Sequence, residues 1–263
     1  MTSKQIGKEQ QPFTAIATSD AHTITVRGKD LCTELIGKIG FADYFWLLLT
    51  GTEPTTDQSF FVNATLVTVA EHGLTVTAQT ARMTFAAEPD ALQAAVAAGI
   101  LGAGKVVLGT SELCGMLLSK VVDDAGINGV HMEASAQAAL EAIKARKETV
   151  PGFGHHLHGE GDPRTIRLLS LAQERGTAGL HVQALRAIER LIPKVFGKTL
   201  VANASAAIPA VLLDVGYPPS ALKGIPILAR TAGLIAHLAE EASRPIGFLM
   251  SHHAALSIEY DGE

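Results

Sequence analysis

Val150-Pro-Gly-Phe-Gly-His-His-Leu-His-Gly-Glu-Gly-Asp-Pro-Arg164 is the stretch on which the reading of the chain turns. Pro151, Gly152 and Gly154 keep its first half out of a helix, because proline lacks an N–H and glycine favours open backbone conformations. Gly159 and Gly161 open a second break. Asp162-Pro163-Arg164 then reads as a helix start: Asp162 can cap, Pro163 suits the first helical position, and Ile166 to Ala172 supplies an apolar run. The result is a glycine-lined loop bearing His155, His156 and His158, leading into a helix whose first turn carries an arginine. Backbone amides, titratable rings and a fixed cation together suit an anionic ligand with a carbonyl to be polarised. A solvated glycine-rich linker explains one histidine well. It explains three histidines beside Arg164 less well. The same histidines suggest zinc only weakly, because H-H-x-H packed into four residues lacks helical or CxxC support, and no metal site is expected.

Around this stretch the composition favours packed helices. The 263 residues are 47% hydrophobic and only 5% aromatic, with alanine, leucine and valine in bulk. A formal charge of −5 gives no basic surface for nucleic acid. Cys32 and Cys114 are too few and too far apart for a disulfide framework, which points to a reducing compartment. The first residues carry no apolar signal segment, and no uncharged apolar run is long enough to span a membrane. A cytoplasmic protein with no membrane or nucleic-acid partner is expected.

Along the chain, Thr14 to Val26 alternates as a short β-hairpin turning at Ser19 to His22. Asp30 caps a helix through Leu31, Leu35 and Ile36, and another runs from Gly40 to Gly51. The next ends at Glu71-His72-Gly73, with His72 in its last turn and Gly73 as the C-terminal stop. Further helices are predicted over 77–85, 89–99, 110–125, 134–147, 164–175, 182–192, 208–215 and 224–241, with a turn at Gly126 to Gly129. Gly99, Gly102, Gly104 and Gly109 read either as a tight helix crossing or as an anion-binding backbone.

PGFGH followed by DPR closely resembles the signature of the citrate synthase superfamily, which includes citrate and 2-methylcitrate synthases, citryl-CoA lyases and the lyase module of ATP-citrate lyase. The resemblance runs from about Ala15 to Tyr260. It implies an all-α fold with a short N-terminal β-hairpin. A large helical domain would be formed by 1–145 and 215–263, and a smaller helical domain by 146–214 carrying the loop. It also implies a homodimer that uses acyl-CoA and small carboxylate substrates, with no cofactor beyond coenzyme A itself. By the same resemblance Val150, Pro151, Gly152, Phe153 and Gly154 contact coenzyme A. His155 serves the reacting carbonyl, and His72, in Glu71-His-Gly, hydrogen-bonds substrate. Arg164 and Arg230 hold carboxylates, and Arg244, in Arg-Pro, crosses to a partner subunit's site.

Two departures sharpen the expectation. Synthases resemble Gly-Pro-Leu-His-Gly where this chain has Lys105-Val-Val-Leu-Gly109, so the histidine that polarises the acetyl thioester is absent. The lyase module of ATP-citrate lyase also lacks it. Ser205 stands where the family has the aspartate that moves the proton at the acetyl carbon, and a serine hydroxyl cannot act as a carboxylate base near neutral pH. Asp214, a full helix turn or more away, is no obvious substitute. The expectation is metal-independent cleavage of citryl-CoA to acetyl-CoA and oxaloacetate. The alternatives are synthase-like condensation, cleavage of another 3-hydroxyacyl-CoA, or a catalytically silent protein that binds CoA esters.

Overall fold

The computed structural model describes residues 13–104, 106–128, 131–154 and 161–262. The chain divides into two compact units, Met1–Ser59 and Phe60–Glu263.

The first unit holds the expected hairpin and one strand more. β1 (Ala17–Ser19), β2 (Ile24–Val26) and β3 (Lys29–Asp30) form an antiparallel sheet in that order. The turn works as an Asp turn: the Asp20 carboxylate accepts from the His22 and Thr23 amides at 2.7 and 2.8 Å. Asp30 caps as expected, accepting from the Thr33 amide, but it opens a single wide turn over Leu31–Leu35 and not a longer helix. α1 (Phe41–Thr50) lies between Gly40 and a left-handed Gly51, as the sequence indicates. Val26, Leu35 and Leu47 make this unit's small core.

α2 (Thr56–Ala70) leads into the helices of the second unit. These are α3 (Val76–Ala87), α4 (Leu92–Leu101), α5 (Thr110–Asn128), α6 (Met132–Ala145), α7 (Pro163–Glu174), α8 (Leu180–Phe196), α9 (Ala204–Asp214), α10 (Gly224–Ser243) and α11 (Gly247–Leu256). α9 packs against α5, α7 and α8, and Ala206 to Leu213 along it are all buried. A helix apolar all round belongs in the middle of a core. Fully burying one such leucine, Leu212 for example, contributes about 2–3 kcal/mol. α10 packs on α3 and α4, with Leu234 and Leu238 reaching Ala78, Ala81 and Ala95. Among the described residues no helix is long and apolar enough to cross a membrane.

The boundaries differ from the sequence reading in several places: α4 starts at Leu92 and not at 89, and α8 covers Leu180–Phe196 and not 182–192. α2 stops at Ala70 and not in the His72 turn, because the Glu71 carboxylate takes the His72 and Gly73 amides at 2.8 and 2.6 Å and opens the chain there. α5 continues through Gly126 to Asn128, since one glycine costs only about 1 kcal/mol against packing on α6, α8 and α9. α9 starts at Ala204, four residues earlier than predicted, under an Asn203 cap that accepts from the Ser205 amide. α11 has no counterpart in the sequence reading: Phe248, Leu249, Met250 and Leu256 are spread around it and give no helical stripe to read, and Gly247 is its one buried residue.

Candidate active site

The central loop is built by pairing with the segment before α9. Phe153 bridges Ala202, Gly154 N–H donates to the Val201 carbonyl at 2.7 Å, and the Asn203 amide donates to the Gly152 carbonyl at 2.9 Å. The Asn203 side chain adds a bond to the Gly154 carbonyl at 2.7 Å. Gly152 and Gly154 have φ of 82° and 88°, a region that side chains disfavour. Gly152 also has no room for one: an added Cβ would lie 2.8 Å from Cys114 Sγ and 2.9 Å from Ala206 Cβ. Cys114 is wholly buried and burial pushes its thiol up, which leaves it a packing residue.

Asp162 ties the end of this stretch to α9. It caps α7 through the Arg164 amide, and its Oδ2 accepts from the Ala204 amide at 3.0 Å. The same carboxylate holds the Arg164 side chain, Nε to Oδ1 at 3.0 Å and Nη2 to Oδ2 at 2.8 Å. Burial alone would raise the Asp162 carboxyl, but Arg164 and the two amides outweigh it and hold the group at about 2.

Arg230 comes from α10. It is 3% exposed, its Nε has no partner among the described residues, and its Nη1 makes a long 3.4 Å approach to Thr75 Oγ1. Desolvation lowers its pKa, Arg164 adds repulsion, and only Glu71 opposes these effects. A buried guanidinium so poorly compensated is costly, and an anion at its edge would relieve the cost.

These parts line one cavity of about 670 Å³. His72, the loop residues Val150 to Gly154, Arg164, Ser205 and Arg230 all face it. No aspartate or glutamate is among its described lining residues, although Asp162, outside that lining, pairs with Arg164. Val106, Val107 and Leu108 give it an apolar wall in the segment where synthases resemble a histidine. Ser205 sits in the first turn of α9. His155, His156 and His158, and Lys105, lie outside the described residues. Arg244 does not line the cavity: it ends α10 with its side chain exposed.

Sequence reasoning missed Thr75, Gln79 and Asn203, which also line the cavity. Short polar residues near helix starts carry no distinguishing signal. It also left the glycine cluster open. Gly99 resolves as a helix crossing, since a Cβ there would sit 2.6 Å from Leu234 and 2.8 Å from the Thr77 carbonyl. Asp214 is structural: it accepts from the Gly179, His181 and Val182 amides and from the His181 ring, capping α8.

An all-α fold whose cavity brings a histidine and two arginines to a PGFG loop defines the class. Residues 11–247 match the citrate synthase, C-terminal domain family, and the chain belongs to the citrate synthase family. The expected membership and all-α fold are thereby borne out. Citrate synthase of Deinococcus radiodurans is 30% identical over 208 residues, covering 76% of this chain and 52% of that protein. 2-Methylcitrate synthase of Mycobacterium tuberculosis is 24% identical over 222 residues, covering 81% and 54%. The chain spans about half the length of these curated relatives. Among solved structures, citryl-CoA lyase from Hydrogenobacter thermophilus is 30% identical with a TM-score of 0.82, over 95% of this chain and 94% of that one. ATP citrate lyase from Methanothrix soehngenii, in complex with citrate and coenzyme A, shares the fold at 21% identity and a TM-score of 0.78, over 98% of this chain and 43% of that one.

Proposed function

We propose that the chain is a citryl-CoA lyase-like enzyme that cleaves citryl-CoA to acetyl-CoA and oxaloacetate. The observation that carries this reading is the near end-to-end correspondence with a citryl-CoA lyase, which this chain covers to 94% at a TM-score of 0.82. The cavity adds a chemical reason: Arg230, buried with an unpartnered Nε, lines it together with Arg164 and suits a ligand that brings its own carboxylates.

In the cleavage, a base takes the proton of the tertiary hydroxyl. The oxygen's electron pair forms the new ketone of oxaloacetate as the carbon–carbon bond breaks. The bonding pair passes to the thioester as an enolate, which a proton then quenches to acetyl-CoA. His155 is assigned to the hydroxyl or carbonyl oxygen, and His72 shares that role. Arg164, oriented by Asp162, and Arg230 hold carboxylates. Val150 to Gly154 receive coenzyme A, and no further cofactor or metal is assigned. Donors can stabilise the enolate without one. The protein works as a homodimer in which Arg244 reaches the partner's site. The exposed Phe248 and Leu249 on α11, close by in sequence, suit such an interface. We place it in the cytoplasm.

A second reading is favoured by one observation: Ser205 stands at the family aspartate's position and no described lining residue supplies a carboxylate in its place. On this reading the protein binds CoA esters without turnover. The two separate when citryl-CoA is mixed with purified protein and oxaloacetate release is followed through malate dehydrogenase and NADH loss. Turnover that disappears in His155→Ala supports the lyase. Calorimetric binding of coenzyme A without turnover supports the silent binder, and no binding of coenzyme A sinks both.

A further inference from the structure

A chain of polar contacts outside the cavity ends at the His72 loop. Glu71 Oε1 accepts the His72 and Gly73 amides, so this carboxylate sets where the loop lies. Its other oxygen, Oε2, is 3.0 Å from His237 Nε2 on α10, a close electrostatic contact off the axis of an ideal hydrogen bond. Partial burial pushes the Glu71 carboxyl up, yet the His237 ring and the two loop amides together hold it below the usual carboxylate range. The far side of the ring faces Arg82, with Nη1 3.1 Å from His237 Nδ1. A guanidinium can only donate, so Nδ1 accepts and the ring proton sits on Nε2, facing Glu71.

Arg82 is itself fixed. It is 2% exposed, its Nε donates to Glu241 at 2.6 Å, its Nη1 to Glu240 at 2.8 Å, and its Nη2 to the Arg244 carbonyl at 3.3 Å. Glu241 in turn accepts the Ile246 and Gly247 amides at 2.9 and 2.6 Å, which shapes the corner between α10 and α11. The backbone is packed to match. A Cβ on Gly233, one turn before His237, would lie 2.0 Å from the Ala70 carbonyl, so α10 rests directly on the end of α2.

We propose that Arg82, His237 and Glu71 are positioning residues that hold the His72 loop in register with the α10–α11 corner, the corner that presents Arg244. This rests on the reading of His72 as a site residue. A buried arginine pair could serve stability alone. The histidine goes beyond the Arg82–Glu241 pair: it takes one Arg82 donor and faces the Glu71 carboxylate that holds the loop amides. Removing the ring's polar edge should loosen His72 and leave the core intact.

The test uses full-length protein with carbon-13-labelled histidine, the His72 ring signal being assigned by its loss in His72→Gln. His237→Leu should shift and broaden that signal, and His237→Gln, which keeps polar atoms facing both neighbours, should restore most of it. With citryl-CoA, His237→Leu should lower kcat about ten- to a hundredfold with KM changed less than about threefold, as a displaced catalytic group does. If His237→Leu does not fold, Glu71→Gln replaces it, because that side chain is 47% exposed. It should move the same signal. An unchanged His72 signal in either folded variant overturns the proposal. Absence of citryl-CoA turnover in the unmodified protein refutes the lyase reading and leaves the histidine signal as the judge of this one.

Discussion

Arg164 meets Asp162 through two donors at once, Nε at 3.0 Å and Nη2 at 2.8 Å, and the same carboxylate reaches across to the Ala204 amide at the start of α9. One buried side chain therefore orients the arginine in the first turn of α7 and anchors the helix that carries Ser205. The arrangement makes Asp162 a stability residue as well as a positioning one.

Asp162→Ala removes a fully buried carboxylate, a cap and one half of an ion pair, leaving Arg164 without its partner. Urea unfolding should show a loss of about 2–4 kcal/mol.

The same group gives a pH signature. Its folded-state value of about 2 lies below the 3.8 of an ordinary aspartate, so its contribution is complete above pH 3.8 and disappears as pH falls towards 2. That contribution is about 2 kcal/mol. Asp162→Asn should therefore unfold with a flatter acid limb than the unmodified protein, and parallel acid limbs would contradict the assignment.

Arg230 should show the opposite trade. Its charge is buried with an unpartnered Nε, so Arg230→Met removes a cost along with a function. Thermal unfolding should move upward, by about 1–2 kcal/mol in stability.

Gly152 and Gly176 both hold positive φ, but only Gly152 is crowded by Cys114 and Ala206. Gly176→Ala should cost about 1 kcal/mol, for conformation alone. Gly152→Ala should cost about 2–4 kcal/mol and shift the loop. Equal costs would mean that the crowding at Cys114 relaxes freely.

Arg244 has an exposed side chain and a carbonyl held by Arg82, so Arg244→Ala should leave melting almost unchanged. If it completes a partner's site, Arg244→Ala and Arg164→Leu proteins should each be inactive alone. They should regain turnover when mixed and allowed to exchange subunits.

Much of the helical framework was legible because α1, α7, α8 and α10 carry their own punctuation: Gly40 and Gly51, Asp162-Pro163, and apolar spacing on α8 and α10. The glycine loop was legible because only glycine fits there. Boundaries failed where a side chain far from the pattern decides them, as Glu71 does in ending α2 and Asn203 in starting α9. α11 was hidden because it buries almost nothing. The Arg82–His237–Glu71 chain was invisible for a different reason. It joins residues about 160 positions apart, and nothing local marks an arginine in α3 as buried.

The central claim is that Arg164 and Arg230 receive the carboxylates of a CoA ester in the cavity they share with the PGFG loop. Calorimetric titration of citryl-CoA into His155→Ala protein, where cleavage is blocked, tests it directly, with and without Arg230→Met. Saturable binding that weakens more than about tenfold on loss of the guanidinium is the expected result. Equal affinity in the two proteins would place the carboxylates elsewhere and contradict the account.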